Sequence, residues 1–168
     1  MDMYPEFFAG DLGLTAISFA TGTCDIAAGG AATFGTVELF NPAIANPQAT
    51  GQVILATLTG LMIFNTTAAG NLKVLKSVTA TDVATAATVN PVWMDFRRTD
   101  TPVLTLKSGV PAAIPGTELI RFPMNSNERL FLPFNWDIQP GTGINFAFDT
   151  ANQRLVVSPI WVERIQTS

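Results

Sequence analysis

No long segment of this 168-residue chain repeats its apolar residues at helical spacing, and 11 prolines and 13 glycines cut it into short pieces. A helix interior tolerates proline poorly and glycine at a cost, so long helices are disfavoured throughout. Between the breaks Val, Ile, Thr and Phe dominate, the residues that suit a pleated, half-buried surface. The pattern predicts many short strands joined by turns.

The strand candidates are residues 14–20, 33–40, 52–59 and 61–66, 71–79, 92–98, 103–107, 118–122, 129–134, 144–148 and 154–160. The pair 52–59 and 61–66 reads as two strands, or as one long strand bent at Gly60. Residues 71–79 read as its hairpin partner. Residues 81–89 are the one helical candidate, with Thr81 or Asp82 as cap, although their β-branched content suits a loop equally well. Pro115-Gly116-Thr117 recurs 25 residues later as Pro140-Gly141-Thr142, and Asn127, Arg129 and Leu130 recur as Asn152, Arg154 and Leu155. Each copy reads turn, strand, polar turn, strand, which predicts two consecutive hairpins in a meander.

About eight to ten strands with turn signals every dozen residues or so indicate a sandwich. The expected architecture is all-β: an antiparallel β-sandwich, jelly-roll-like, with an extended N-terminal arm. Residues 1–13 are the arm, and residues 14–168 form a single domain.

Charge is scarce and unevenly placed. Only 13% of residues are charged, against about 25% in an ordinary soluble domain, while 48% are hydrophobic. Residues 1–72 carry a net −5 with no Lys or Arg, and residues 73–168 carry +1. From Leu39 to Leu72 no side chain is charged. Such a stretch is expected to be divided between core and subunit interface, because interface cores are depleted of charge. A spanning helix needs about 20 apolar residues, and the most apolar window, Val53–Phe64, is shorter and interrupted by Thr57, Thr59 and Gly60. No secretory leader pattern opens the sequence. The net charge of −4 argues against nonspecific nucleic-acid binding, which needs a basic face. Neither membrane nor nucleic acid is therefore an expected partner.

The chain contains no histidine, so Ser-His-Asp and Cys-His catalysis and histidine-ligated zinc are excluded. Its single cysteine, Cys24, rules out an internal disulfide and reads as a small buried apolar residue. No EF-hand loop and no phosphate-binding loop with its Lys-Ser/Thr is present. Paired carboxylates remain available for glycoside hydrolysis, from Asp95, Asp100, Glu118, Glu128, Asp137, Asp149 and Glu163. Most lie beside turn residues, where acids ordinarily cap or meet solvent. No catalytic residue, cofactor or metal site is therefore expected, and the chain reads as a structural or binding module rather than an enzyme. The candidate interface residues are Tyr4, Phe7 and Phe8 in the arm, Leu61, Met62 and Phe64 in the uncharged stretch, and Arg97 and Arg98. That arginine pair would either neutralise Asp95 and Asp100 or face an acidic N-terminal region of a neighbour.

The closing segment runs from Pro140-Gly141-Thr142-Gly143-Ile144 through Leu155-Val156-Val157 to Trp161-Val162-Glu163-Arg164. It resembles the last hairpin of small jelly-roll proteins in phage particles, over about 30 residues. The resemblance implies a virion structural protein, a capsid decoration (cement) protein assembled in the host cytoplasm. Such proteins commonly form trimers that stand on the capsid lattice, so the implied partners are other copies of the chain and the major capsid protein. It carries no site motif over. Two other readings stay open. A receptor- or glycan-binding jelly-roll module of a tail or fibre would expose Trp93, Trp136 or Trp161 for stacking on sugars. A carboxylate-only hydrolase would line a cleft with two acids.

Overall fold

The structure is a computed structural model that describes residues 19–22, 24–26, 36–42, 52–66, 68–78, 87–95, 97–109, 116–148 and 155–167. Twelve strands and no helix occur among them. They are β1 (Phe19–Thr21), β2 (Cys24–Ile26), β3 (Thr36–Asn41), β4 (Gln52–Asn65), β5 (Gly70–Ser77) and β6 (Ala87–Val89). Then follow β7 (Val92–Trp93), β8 (Thr105–Gly109), β9 (Thr117–Met124), β10 (Arg129–Ile138), β11 (Thr142–Phe148) and β12 (Leu155–Thr167).

The strands form two six-stranded antiparallel sheets. Sheet A runs β10-β4-β12-β1-β7, with β2 also pairing β12; sheet B runs β6-β8-β3-β11-β5-β9. Because β1 and β2 pair successive stretches of β12, they act as one interrupted strand. Counted that way, eight principal strands follow one another as β1/β2, β3, β4, β5, β9, β10, β11 and β12. Sheet A then contains the first, eighth, third and sixth of them, and sheet B the second, seventh, fourth and fifth. This is the jelly-roll order, two Greek keys closed into a sandwich. The excursion between β5 and β9 adds β6 and β8 beyond β3, and β7 beyond β1.

Period-2 alternation positions the core. Val37, Leu39, Leu58, Leu61, Phe146, Phe148 and Trp161 are among the side chains that fill the space between the sheets. Thr59 is the extra residue of a bulge, since Ile160 pairs with Gly60 and Trp161 with Leu58. Its hydroxyl donates to the Ile160 carbonyl at 3.0 Å. Of the two readings of 52–66, one continuous strand is realised, with its register irregularity beside Gly60. Gly116, at φ +118°, leads into β9 in a conformation few L-residues adopt, with the Lys76 carbonyl where a Cβ would sit.

Several local expectations are corrected. Strand β5 is not a hairpin partner of β4, because the two lie in opposite sheets. The two late hairpins fail for the same reason: β9 and β11 belong to sheet B, β10 and β12 to sheet A. The 125–128 turn arches between sheets instead of joining neighbours. In the 125–128 turn, Asn127 takes φ 57°, and the buried Asn65 amide donates to the Asn125 and Ala68 carbonyls. Of the helical candidate, residues 87–89 are strand, and the remainder lies outside the described residues. The arm 1–13 also lies outside them.

The uncharged stretch acquires a simple cause. Its described part is mostly β4, which sits between β10 and β12 and buries Ile54, Ala56, Leu58, Leu61 and Ile63. A central strand with one face in the core has little room for charge.

Candidate interaction surface

The outer face of sheet A carries an apolar groove built from three adjacent strands. Past the bulge, β4 turns Leu61 and Ile63 inward and Met62 and Phe64 outward. Register then sets two cross-strand rows: Arg129–Phe64–Val156 and Phe131–Met62–Ser158. These six residues, with Ile63 and Leu130, line a depression of ≈ 530 Å³. Met62 is 55% exposed and Phe131 57%, high values for large apolar side chains. The Arg129 guanidinium lies 4.8 Å from the Phe64 ring centroid, a cation–π contact. A Cβ on Gly60 would come within 2.8 Å of the Phe131 ring, so the missing side chain lets that ring settle on the strand.

Beside the groove, the sandwich is open between β9 and β10. Among the described residues no strand continues either sheet there, and the inward residues Leu132, Phe134 and Trp136 are half-buried. With Ile120, Phe122 and Pro133 they line a second depression of ≈ 540 Å³. The Phe134 and Trp136 rings sit 4.6 Å apart, tilted by 56°. Both edge strands are protected against strand addition. Pro123 and Pro133 lack the N–H a new strand would need, and β10 is irregular between Pro133 and Trp136. A partner at this edge meets side chains, not a free backbone ladder.

A second apolar patch occupies the opposite edge of sheet A, where Phe19, Val92 and Met94 are exposed. Beneath it, Trp93 is covered by the Arg98 guanidinium, 3.7 Å from its ring centroid. Arg97 bonds both oxygens of Asp95, and Arg98 both oxygens of Asp100. Of the two arrangements sequence allowed for this arginine pair, the local one is realised.

The side-chain hydrogen bond from Arg97 holds the Asp95 carboxyl below its ordinary 3.8, and that from Arg98 does the same for Asp100. A depressed acid pKa adds stability that is present above 3.8 and lost as pH falls through the folded value. Tryptophan emission should therefore stay constant down to about pH 4 and change only below it, as Asp100 releases Arg98 from Trp93. Asp100→Asn should show much of that change already at neutral pH; an Asp100→Asn spectrum identical to wild type would contradict the coupling.

The other carboxylates are also engaged locally. Glu118 pairs with Arg121, Glu128 accepts the Asn125 N–H, Asp137 accepts the Thr57 hydroxyl, and Glu163 accepts three donors. Asp149 lies outside the described residues. Among the described residues no three His, Cys, Asp or Glu gather as metal ligands. Trp161 is fully buried and Trp93 is 8% exposed, so neither offers an open face for stacking, whereas Trp136 is half-buried at the second depression.

The expected interface residues separate accordingly. Met62 and Phe64 line the groove. Leu61 does not: it points into the core and is 0% exposed, because the strand alternates faces at each residue. Tyr4, Phe7 and Phe8 lie outside the described residues. Sequence reasoning missed Arg129, Phe131, Val156 and Ser158. The alternation of 129–133 marked Arg129 and Phe131 as sharing a face, and only pairing with β4 shows that Met62 and Phe64 share it too. Comparison with protein-family models, with curated proteins and with solved structures gave no match.

Proposed function

We propose that this chain is a virion structural protein, a capsid decoration (cement) protein that works as a homotrimer and ties copies of the major capsid protein together. The observation that carries this reading is the placement of exposed apolar side chains. Met62, Leu119, Ile120 and Phe131 gather at the β9–β10 side of the sandwich, and Phe19, Val92 and Met94 at the opposite edge of sheet A. Two different patches on opposite sides suit a head-to-tail contact, which closes into a ring when the rotation allows. Repetition of modest contacts over a lattice then supplies avidity. Jelly rolls also occur in capsid and lectin domains alike, so the fold supports the reading only by analogy.

The glycan-binding alternative is less favoured, because Trp93 and Trp161 are covered. The decisive experiment measures solution mass and co-sedimentation with capsid shells that lack the protein. A species of about three chains that pellets with shells is expected. A monomer that stays in the supernatant would overturn the proposal.

A further inference from the structure

We infer that the groove on the outer face of sheet A receives the N-terminal segment, residues 1–18, of a neighbouring copy. This rests on the self-association proposed above and assigns its contact. Among its described lining residues the groove presents apolar side chains and one cation, Arg129, and no carboxylate. No ion pair to Arg129 forms among the described residues. The fitting ligand is a segment with aromatic or thioether side chains and negative charge. Residues 1–18 have that chemistry: Met1, Met3, Tyr4, Phe7 and Phe8 accompany Asp2, Glu6 and Asp11, with no Lys or Arg. Elsewhere in the first 72 residues the only acids are Asp25 and Glu38, which lie within strands β2 and β3.

The direction of β1 favours a neighbour's groove over the chain's own. Phe19 pairs with Val162, and β1 runs from there toward Ile160, the side on which the groove lies. The groove residue Ser158 stands four positions further along β12, about 13 Å away at strand spacing. The polypeptide preceding Phe19 therefore leaves β1 at the end away from its own groove. Eighteen extended residues reach up to about 60 Å, ample to cross to an adjacent copy. Strand addition at β10 is blocked by Pro133 and the irregularity beside it, so docking is through side chains in the groove.

The test uses two full-length chains, each with Cys24→Ser. One also carries Phe8→Cys and the other Ser158→Cys, so a disulfide linking the two kinds can form only between copies. After mixing under mild oxidation, the mixed pair should exceed pairs of like chains by about tenfold, the effect of 1.4 kcal/mol of preferential docking. Adding Arg129→Glu to the Ser158→Cys chain should cut the yield several-fold. Replacing Asp2, Glu6 and Asp11 by lysine in the other chain should restore it, which also shows that the Arg129 variant is folded. No mixed pair, or a disulfide that forms within a third chain carrying both Phe8→Cys and Ser158→Cys but not between the two kinds, would overturn the inference. Shell binding of the unsubstituted protein is scored separately. Pelleting without the mixed disulfide sinks the arm contact and leaves the cement reading standing; the disulfide without pelleting does the reverse.

Discussion

Asn41→Asp should destabilise the fold by about 3–5 kcal/mol at neutral pH and by much less in acid. Asn41 ends β3 in sheet B, is 0% exposed, and reaches across to sheet A. Its amide nitrogen donates to the Ile54 carbonyl at 3.0 Å on β4 and to the Ile138 carbonyl at 2.9 Å on β10. One side chain thus ties three strands of two sheets together. Aspartate has the same shape but, when ionised, only accepts, so it would set negative oxygen against two carbonyl oxygens without water. Protonation relieves part of that conflict by restoring one donor. The introduced carboxyl should therefore have a folded pKa raised above its unfolded value of about 3.9. Below that value the variant is near its best, and its stability falls as pH rises toward the folded pKa. Urea unfolding at pH 4 and pH 7, followed by tryptophan emission, measures the difference. A gap from wild type that does not change with pH would show that the side chain does not face those carbonyls.

Glu163→Ala should cost about 3 kcal/mol, and Glu163→Gln about half as much. The Glu163 carboxylate accepts the Val103 N–H at 2.8 Å, the Leu104 N–H at 2.9 Å and the Trp161 indole N–H at 3.0 Å. It fastens the excursion between β7 and β8 to the last strand of sheet A, some 60 residues further along the chain. Alanine leaves all three donors without an acceptor at a half-buried site, whereas glutamine keeps one oxygen. The amides of Val103 and Leu104 should exchange with solvent faster in both variants, more so in Glu163→Ala. If Glu163→Ala unfolds at the same urea concentration as wild type, the clamp has no energetic weight.

Neither contact is legible in the sequence. Glu163 appears there as a residue of a Trp-x-Glu-Arg ending, and Asn41 as half of an Asn-Pro stop after a strand. Asn41 acts on groups 13 and 97 positions away, and Glu163 on two amides 59 and 60 positions away, all brought near by the sandwich. The site follows the same rule. Met62 and Phe64 stood out because an uncharged stretch invites an interface, but the stretch also contains Leu61, which the alternation sends into the core. Arg129 and Phe131 entered only when β10 paired with β4.

The residues by themselves determined strand character, the absence of histidine chemistry and the neutrality of β4. All of these follow from local properties: side-chain branching, backbone freedom at glycine and proline, and which ionisable groups exist. Partnership was decided only by the folded chain. Alternation with period two marks a strand with two unlike faces, yet it is identical whether a short polar turn leads to a neighbour in the same sheet or arches to the opposite one. Choosing between these requires the summed burial of both sheets, and that choice sent β9 and β10 apart and left Met62 and Phe131 facing water.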